Sequence, residues 1–344
     1  MHVPDGFIDA PISAATGVVA AGAIAVSLRG ARRELGRERT APLAGLVAAF
    51  IFAVQMLNFP VAAGTSGHLL GGALAAILVG PYTGVLCVSV VLLMQGILFA
   101  DGGLTALGVN ITDMAITTTV VAYAVFRGLV KVLPRGRRSI TAASFVAALL
   151  SVPAAALVFT LLYALGGTTD VSLGKVATAM IGVHVLIGVG EAAITALTVG
   201  AVIAVRPDLV HGARGLEQRL KLRVDGELVD APRPSEPVAA RDTSRRKLWI
   251  GGLVASLVLA GFVSFYASSN PDGLEKVAAD QGIDRQTKEH ASADSPLADY
   301  GVRDVEDARL SGGLAGVIGV GVTVVAGTGV FWAVRRRRDT SQVA

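Results

Sequence analysis

Cysteine and charge are both scarce in this chain of 344 residues, and each shortage removes a class of protein. Cys87 is the only cysteine in the sequence, which excludes a disulfide framework and a metal site built from cysteines. Charged residues make up 16% of the chain and hydrophobic residues 53%. No G-x-x-x-x-G-K-[ST] occurs, so the chain cannot bind ATP through a P-loop. H-E-x-x-H is missing too, which removes the helical zinc hydrolases.

Apolar runs near twenty residues long recur along the chain, and this is the length that spans a lipid bilayer. They predict an all-α polytopic membrane protein. The 41 glycines and frequent alanines favour helices that pack closely through small residues. The net charge of +4 does not indicate nucleic acid as a partner, because the basic residues cluster at the ends of apolar runs. There they set the topology of the chain in the membrane.

Nine membrane-spanning helices with the N-terminus outside are predicted. Gly80-Pro81 divides the apolar run 69–99, because proline breaks the hydrogen-bond ladder of a helix. With this split every strongly basic loop lies inside, whereas the outer loops 1–9, 64–68 and 100–104 contain no lysine or arginine. The predicted spans are 10–28, 41–63, 69 to about 80, about 83–99, 105–126, 140–165, 176–204, 248–268 and 311–334.

The same pass along the sequence predicts three parts. Residues 1–210 form a membrane domain of about seven helices. Residues 211–247 are polar, contain APRPSEP and are predicted to be a cytoplasmic linker. Residues 248–344 form a second membrane domain, in which two helices flank an outer polar segment of about forty residues.

Two histidines fall on the predicted outer face. His2 directly follows Met1, and His68 lies in GTSGHLLGG, whose glycines let the backbone fold back into the bundle. The Met1 amine, the His2 amide nitrogen and the two imidazoles would make a set of four nitrogens. Planar nitrogen coordination favours nickel(II) or copper(II), with cobalt(II) as a neighbouring candidate. Two unrelated loop histidines are the alternative, and spacing alone does not decide between the two.

Three motifs, in order, resemble those of the CbiM/NikM family: MHVPDGFID, GTSGHLLGG and HVLIGVGEAAITALTVGAVIAVRPDL. That family comprises the substrate-capture (S) components of energy-coupling factor (ECF) transporters for cobalt and nickel. The resemblance covers residues 1 to about 210. It implies that Ni²⁺ or Co²⁺ is the transported ligand and that Met1, His2 and His68 hold it. Further along, SNPDGLEKVAADQGI and SPLADYGV resemble the PDGLE domain of CbiN/NikN accessory subunits, which assist metal loading.

The resemblance also implies partners and a location. Uptake would need a transmembrane T component of the CbiQ/NikQ type and separate ATPase subunits of the CbiO/NikO type, since this chain binds no ATP. The chain would be a multi-pass protein of a bacterial cell membrane. By resemblance, one stripe of small residues in the second span contacts the T component, with internal packing as the alternative. The stripe consists of Ala41, Gly45, Ala49 and Ala53. A similar stripe in the first span comprises Ser13, Gly17, Ala21 and Ala25.

Polar residues within the predicted spans are candidates for a shell around GTSGHLLGG, residues 64–72, which is called the metal loop below. Such groups are costly in a membrane and often functional. Interhelical hydrogen bonding is the alternative. The candidates are Gln55, Asn58, Gln95, Asn110 and Asp113.

His184 and Glu191 are seven positions apart, which places them on one helix face. They are expected to pack together or to take part in coupling, and not to act in catalysis. In the accessory domain, Asp272, Glu275 and Asp280 are candidates for collecting cations, and a solvated loop is the alternative reading.

The predicted function is the substrate-binding component of an ECF-type importer that captures cobalt or nickel at the outer face. An energy-independent metal channel is the main alternative. An intramembrane metalloenzyme would need a positioned base, and neither Asp5 nor Glu191 is evidently placed as one. Nickel and cobalt are not distinguished, because both metals use nitrogen ligands.

Overall fold

The structure is a computed structural model that describes residues 1–35, 41–62, 64–214, 221–224, 227–230 and 240–339. The helices are α1 (Ala10–Glu34), α2 (Ala41–Gln55), α3 (Gly72–Val79), α4 (Pro81–Leu98), α5 (Leu107–Asn110), α6 (Thr118–Val132), α7 (Arg137–Gly166), α8 (Leu173–Val205), α9 (Ala240–Gly261), α10 (Gly273–Gln281) and α11 (Ala308–Asp339). A π-helix, Ile111–Thr117, joins α5 to α6. The strands form two hairpins, β1 (Phe59–Ala62) with β2 (Thr65–Gly67) and β3 (Lys221–Val224) with β4 (Glu227–Asp230).

Long apolar helices make up most of the molecule, so the predicted all-α polytopic membrane fold is confirmed. Among the described residues, seven helical segments are long and apolar enough to cross a membrane. They are Ala10–Glu34, Pro81–Leu98, Leu107–Val132, Arg137–Gly166, Leu173–Val205, Arg246–Tyr266 and Ala308–Val334. Each lies over a predicted span.

The two other predicted spans, 41–63 and 69–80, do not form helices of membrane length. α2 ends at Gln55, where the chain turns into the β1–β2 hairpin. α3 has 8 residues, which is about 12 Å at 1.5 Å per residue and far short of a bilayer core. The buried, non-helical segment 65–71 precedes it. Irregular backbone is tolerated at membrane depth when protein surrounds it, so this crossing combines a loop with a short helix.

The break predicted at Gly80-Pro81 is present. α3 ends at Val79, Gly80 has a φ of 102°, and Pro81 is the first residue of α4. The positive φ suits glycine, and proline in the first turn of α4 loses no helical hydrogen bond. The Glu34 carboxylate, at the end of α1, accepts hydrogen bonds from the amides of Tyr82 and Thr83 at 3.3 and 2.7 Å. This end of the bundle lies a full α1 length away from the N-terminal tail.

The small-residue stripe on α2 is covered within the chain. A Cβ atom on Gly45 would lie 2.4 Å from Oγ1 of Thr328, so α11 packs directly on α2 there. Ala49 and Ala53 are fully buried. At Gly45, Ala49 and Ala53 packing within the chain accounts for the small residues, and contact of this stripe with a T component stays a prediction.

The predicted linker 211–247 falls only partly within the described residues. Its described part contains the β3–β4 hairpin, and α9 begins at Ala240. APRPSEP, at residues 231–237, lies outside the described residues.

Candidate metal centre

The N-terminal tail runs into the bundle and is held there through its backbone. Met1 is 2% exposed and Val3 is fully buried. Asn110 accepts a hydrogen bond from the Val3 amide at 2.7 Å, and its side-chain amide donates to the Val3 carbonyl at 3.1 Å. The Gly103 amide donates to the same carbonyl at 2.9 Å. Both backbone groups of Val3 are thus paired, which fixes the two residues before it.

Asp5 holds the loop that closes around this tail. Its carboxylate accepts from the amides of Leu104 and Thr105 at 3.2 and 2.8 Å and from the Thr105 hydroxyl. A Cβ on Gly103 would lie 2.3 Å from the Asp5 nitrogen, so this close approach of two backbones requires glycine. Asp5 is therefore occupied by structural hydrogen bonds.

The Met1 amine lies between an imidazole and a carboxylate. It donates to Nε2 of His68 and to Oδ2 of Asp272, both at 2.6 Å, and those two acceptors are 3.4 Å apart. Nδ1 of His68 lies 3.0 Å from the Leu69 carbonyl. Because a carbonyl only accepts, Nδ1 carries the proton and Nε2 presents its lone pair to the amine.

The His2 imidazole lies between an amide and a carboxylate. Its Nε2 is 3.1 Å from Oε1 of Gln95. Nδ1 is 3.3 Å from a carboxylate oxygen of Asp101. Burial lowers the pKa of His2 to about 4, against the opposing effect of Asp101, so the ring is neutral near pH 7. The rings of His2 and His68 stack with centroids 5.0 Å apart.

Two side chains from distant helices hold the backbone that follows His68. Gln55 donates to the Leu70 carbonyl at 3.0 Å. The Glu191 carboxylate accepts from the amides of Leu70 and Gly71 at 2.7 and 3.1 Å. Of the predicted shell, Gln55, Gln95 and Asn110 thus touch the metal loop or the N-terminal tail.

The other predicted residues differ in their surroundings, and His184 lies beside Gly273, where a Cβ would come within 3.2 Å of its imidazole. The side-chain carbonyl of Asn58 and both carboxylate oxygens of Asp113, which lies in the π-helix, have no hydrogen-bond partner within the described part of the chain. His184 donates from Nδ1 to the Met180 carbonyl at 2.8 Å. Its hydrogen bond therefore goes to its own helix, whereas Glu191 bonds to the metal loop.

The polar segment 267–307 of the accessory domain closes over the site. Ser66 donates from its amide to the Pro271 carbonyl at 2.9 Å and from its hydroxyl to the Asn270 carbonyl at 2.8 Å. Further along, the Tyr300 hydroxyl donates to Asp101 at 2.6 Å. Burial and the Asp101 charge raise the pKa of Tyr300 well above its usual range. Together these contacts leave the Met1 amine inside the protein.

Asp272 is the N-cap of α10 and reaches the site from there. One carboxylate oxygen accepts from the Glu275 amide at 2.8 Å, and Glu275 in turn accepts from the Asp272 amide, which completes a capping box. The other oxygen meets the Met1 amine. Burial alone would raise the pKa of Asp272, but the neighbouring Met1 ammonium holds it well below its usual range. Asp280 is exposed and pairs with Lys276.

Sequence reasoning missed two residues here and misjudged a third. Asp101 and Tyr300 were not singled out; the signal for Asp101 is an acid in an outer loop, 100–104, that otherwise contains only alanine, glycine and leucine. Asp272 stood only as a collector of cations. The structure brings His2, His68 and Asp272 together, with one ligand atom from each within 4.8 Å of the others and all three buried.

Two family models match this sequence, one in its N-terminal part and one in its C-terminal part. Residues 2–209 match the family model described as the cobalt uptake substrate-specific transmembrane region, CbiM, and residues 246–336 match the PDGLE domain.

Three relatives illustrate the match. A protein of Archaeoglobus fulgidus named as a fused nickel transport protein, NikMN, is 42% identical over 213 residues, covering 61% of this chain and 68% of that protein. The fused nickel transport protein NikMN of Rhodobacter capsulatus is 42% identical over 126 residues, covering 37% of this chain and 36% of its own. The cobalt transport protein CbiM of Geobacter sulfurreducens is 32% identical over 294 residues, covering 82% and 79%. Because the first family model spans well over half of the sequence, this chain belongs to the CbiM family and carries a PDGLE domain after its membrane core.

Proposed function

We propose that this chain is a cobalt or nickel transport component, namely the substrate-capture component of an ECF-type importer in a bacterial cell membrane. The observation that supports this most directly is the buried cluster of the Met1 amine, the His2 imidazole and the His68 imidazole. In the proposal, the ion is captured from the outer face by the Met1 amine, the His2 amide and imidazole nitrogens, and the His68 imidazole. The loaded component then reorients when the ATP-driven subunits act on it.

Hydrogen bonding supports this set of ligands. His68 donates from Nδ1 to the Leu69 carbonyl, so its Nε2 keeps a lone pair, and Gln95 and Asp101 hold the two ring nitrogens of His2. Such partners fix the tautomer and the orientation of a metal-binding imidazole. A set of nitrogen ligands suits Ni²⁺ and Co²⁺. The amine must give up a proton to bind either ion, so affinity should fall at acidic pH.

The burial of the site favours capture over the two alternatives. A channel would pass ions without a closed site, whereas Met1 is 2% exposed beneath the accessory segment. A metalloenzyme would need a free base. Asp5 and Glu191 each accept two or more hydrogen bonds from backbone amides, so neither is available for that role.

ATP hydrolysis is assigned to separate subunits of the CbiO/NikO type, joined through a T component of the CbiQ/NikQ type. Since α11 covers the stripe on α2, the stripe on α1 is the better candidate for the T contact. Ala21 and Ala25 are exposed on that helix, and Gly17 is open on its outer side. Small residues of this kind allow a partner helix to approach closely.

Nickel and cobalt binding by the purified protein tests the proposed site. The wild type with a free Met1 amine is compared with a variant that has one extra glycine before Met1 and with His68→Ala. His211→Ala is the matched control, because that histidine contacts Tyr123 near the opposite end of the bundle. Calorimetry should detect tight binding in the wild type and control only. Unchanged affinity in the extended protein and in His68→Ala would exclude this ligand set.

A further inference from the structure

We propose that Asp272, in the accessory domain, is itself a ligand of the transported metal ion, so that the capture site is completed by the PDGLE segment. This inference rests on the proposed function, because it adds one oxygen ligand to the nitrogen set formed by Met1, His2 and His68.

Distances between the donor atoms carry the argument. Oδ2 of Asp272 is 2.6 Å from the Met1 nitrogen and 3.4 Å from Nε2 of His68, and those two nitrogens are 2.6 Å apart. Neighbouring ligands at right angles around one ion, each about 2.1 Å from it, lie about 3 Å apart. The three atoms are therefore spaced as adjacent donors on a single metal ion would be.

The role of Asp272 as a helix cap does not explain its second oxygen. Oδ1 alone satisfies the cap, since it accepts from the Glu275 amide at 2.8 Å. Serine, threonine or asparagine would cap α10 about as well without a charge. Oδ2 instead points away from the helix, to the amine and the imidazole. Carrying a charged group into a site where its side chain is 9% exposed is costly unless a cation is there to meet it.

The buried Asp272 carboxylate needs a positive partner in the metal-free protein and in the metal-bound protein. The Met1 ammonium is the positive partner of Asp272 in the metal-free protein. Once the amine binds a metal through its lone pair, that positive partner is gone, and the carboxylate would be left buried and unpaired. A divalent ion held by Met1, His2 and His68 replaces it when Asp272 stays on the metal.

The backbone around Asp272 is tied to the loop that carries His68. Ser66, two residues before His68, bonds to the carbonyls of Asn270 and Pro271, the two residues before Asp272. Packing adds to this, because a Cβ on Gly273 would lie 2.8 Å from side-chain atoms of Val183 and Ile187 in α8. The carboxylate is thus held in position on rigid elements, as an effective metal ligand must be.

X-ray absorption at the nickel edge, with nickel affinity measured alongside, tests the inference. Four planar nitrogens around Ni²⁺ give a strong pre-edge shoulder typical of planar four-coordinate nickel, and a carboxylate as a fifth ligand weakens it. The wild type should lack the full planar shoulder. Asp272→Ser and Asp272→Asn both retain a residue that caps α10. Both should regain the shoulder and bind nickel at least about tenfold more weakly, as is usual when a metal site loses a supporting group.

Asp280→Asn is the matched control, because it removes the same charge from an exposed position on the same helix. It should behave as the wild type does. A planar shoulder in the wild type would overturn the inference, as would Asp272 variants that bind nickel as tightly as the wild type with the same spectrum.

Failure of this inference can be told apart from failure of the proposed function. If the extra N-terminal glycine and His68→Ala abolish binding while the Asp272 variants match the wild type, only the role of Asp272 is wrong. If the glycine extension and His68→Ala leave binding intact, the nitrogen site is wrong and the Asp272 ligand falls with it.

Discussion

At the scale of single residues, the site depends on which nitrogen of each imidazole carries a proton. His68 donates a hydrogen bond from Nδ1 to the Leu69 carbonyl, so its Nε2 keeps a lone pair, whereas the two ring nitrogens of His2 lie beside Gln95 and Asp101. The sequence predicted the loop of His68 through its glycines and predicted Gln95 and Asn110 as its surroundings. It could not predict Asp272, because nothing in local spacing tells which side chain 271 positions from Met1 will meet the amine.

The lowered pKa of His2 makes the stability of the metal-free protein depend on pH. A histidine that is neutral in the folded state stabilises it fully above the unfolded pKa of 6.5, and this contribution is lost as pH falls toward the folded value of about 4. The loss is on the order of 3 kcal/mol when complete. We expect the melting temperature to fall between pH 6.5 and 4, and to fall less in His2→Phe. Parallel melting curves for the two proteins over this range would contradict the assignment.

At the scale of elements, the length of the apolar runs predicts the long helices well. It predicts poorly the crossing made by segment 65–71 and the short helix α3. Seven of the predicted spans are membrane-length helices because each satisfies its own backbone. The segment 65–71 has partners outside any helix: residues 65–67 pair with β1, Glu191 accepts from the amides of Leu70 and Gly71, and Gln55 donates to the Leu70 carbonyl. Glu191 lies 121 positions from Leu70, so its contact cannot be predicted from local sequence. The apolar run 69–80 alone therefore predicts a helix.

Packing of α11 on α2 can be tested through Gly45. In Gly45→Ala the new Cβ would lie 2.4 Å from Oγ1 and 2.8 Å from the backbone nitrogen of Thr328, so α11 must shift. Overpacking of this kind costs about 1–3 kcal/mol. The melting temperature in detergent should therefore drop. Gly321→Ala is the control, since a Cβ there meets nothing within 4 Å and alanine favours the helix. Equal melting temperatures in the two variants would show that α11 does not pack here.

At the scale of the whole molecule, the accessory domain covers the proposed metal centre and brings Asp272 to it. Segment 267–307 contacts the loop of His68 through Ser66 and the loop of Asp101 through Tyr300. The motifs predicted that this domain assists loading, but its docking on the site is a tertiary contact that no motif encodes. Since the site is buried beneath it, an ion must enter while the segment is lifted.

A cross-link between the segment and the core tests that requirement. Ser66→Cys and Asn270→Cys put a thiol on each of two residues in contact, since the Ser66 hydroxyl lies 2.8 Å from the backbone carbonyl of Asn270, and a Cys87→Ser background removes the native thiol. The oxidised protein should load nickel much more slowly than the reduced one, as measured by stopped-flow mixing. Each single-cysteine variant under the same oxidant is the control. Equal loading rates in the linked and reduced proteins would mean that ions reach the site by another route.

The direct packing of α11 on α2 has a kinetic consequence. Segment 267–307 connects α9 to α11, and α11 packs on the core at Gly45. The segment therefore cannot diffuse away when it lifts from the site. Its return is a unimolecular step, governed by an effective concentration that can reach the millimolar range for a short tether. A separate accessory subunit would have to be recaptured from the membrane after each opening. Fusion thus makes the closing rate independent of how many copies of the protein the cell contains.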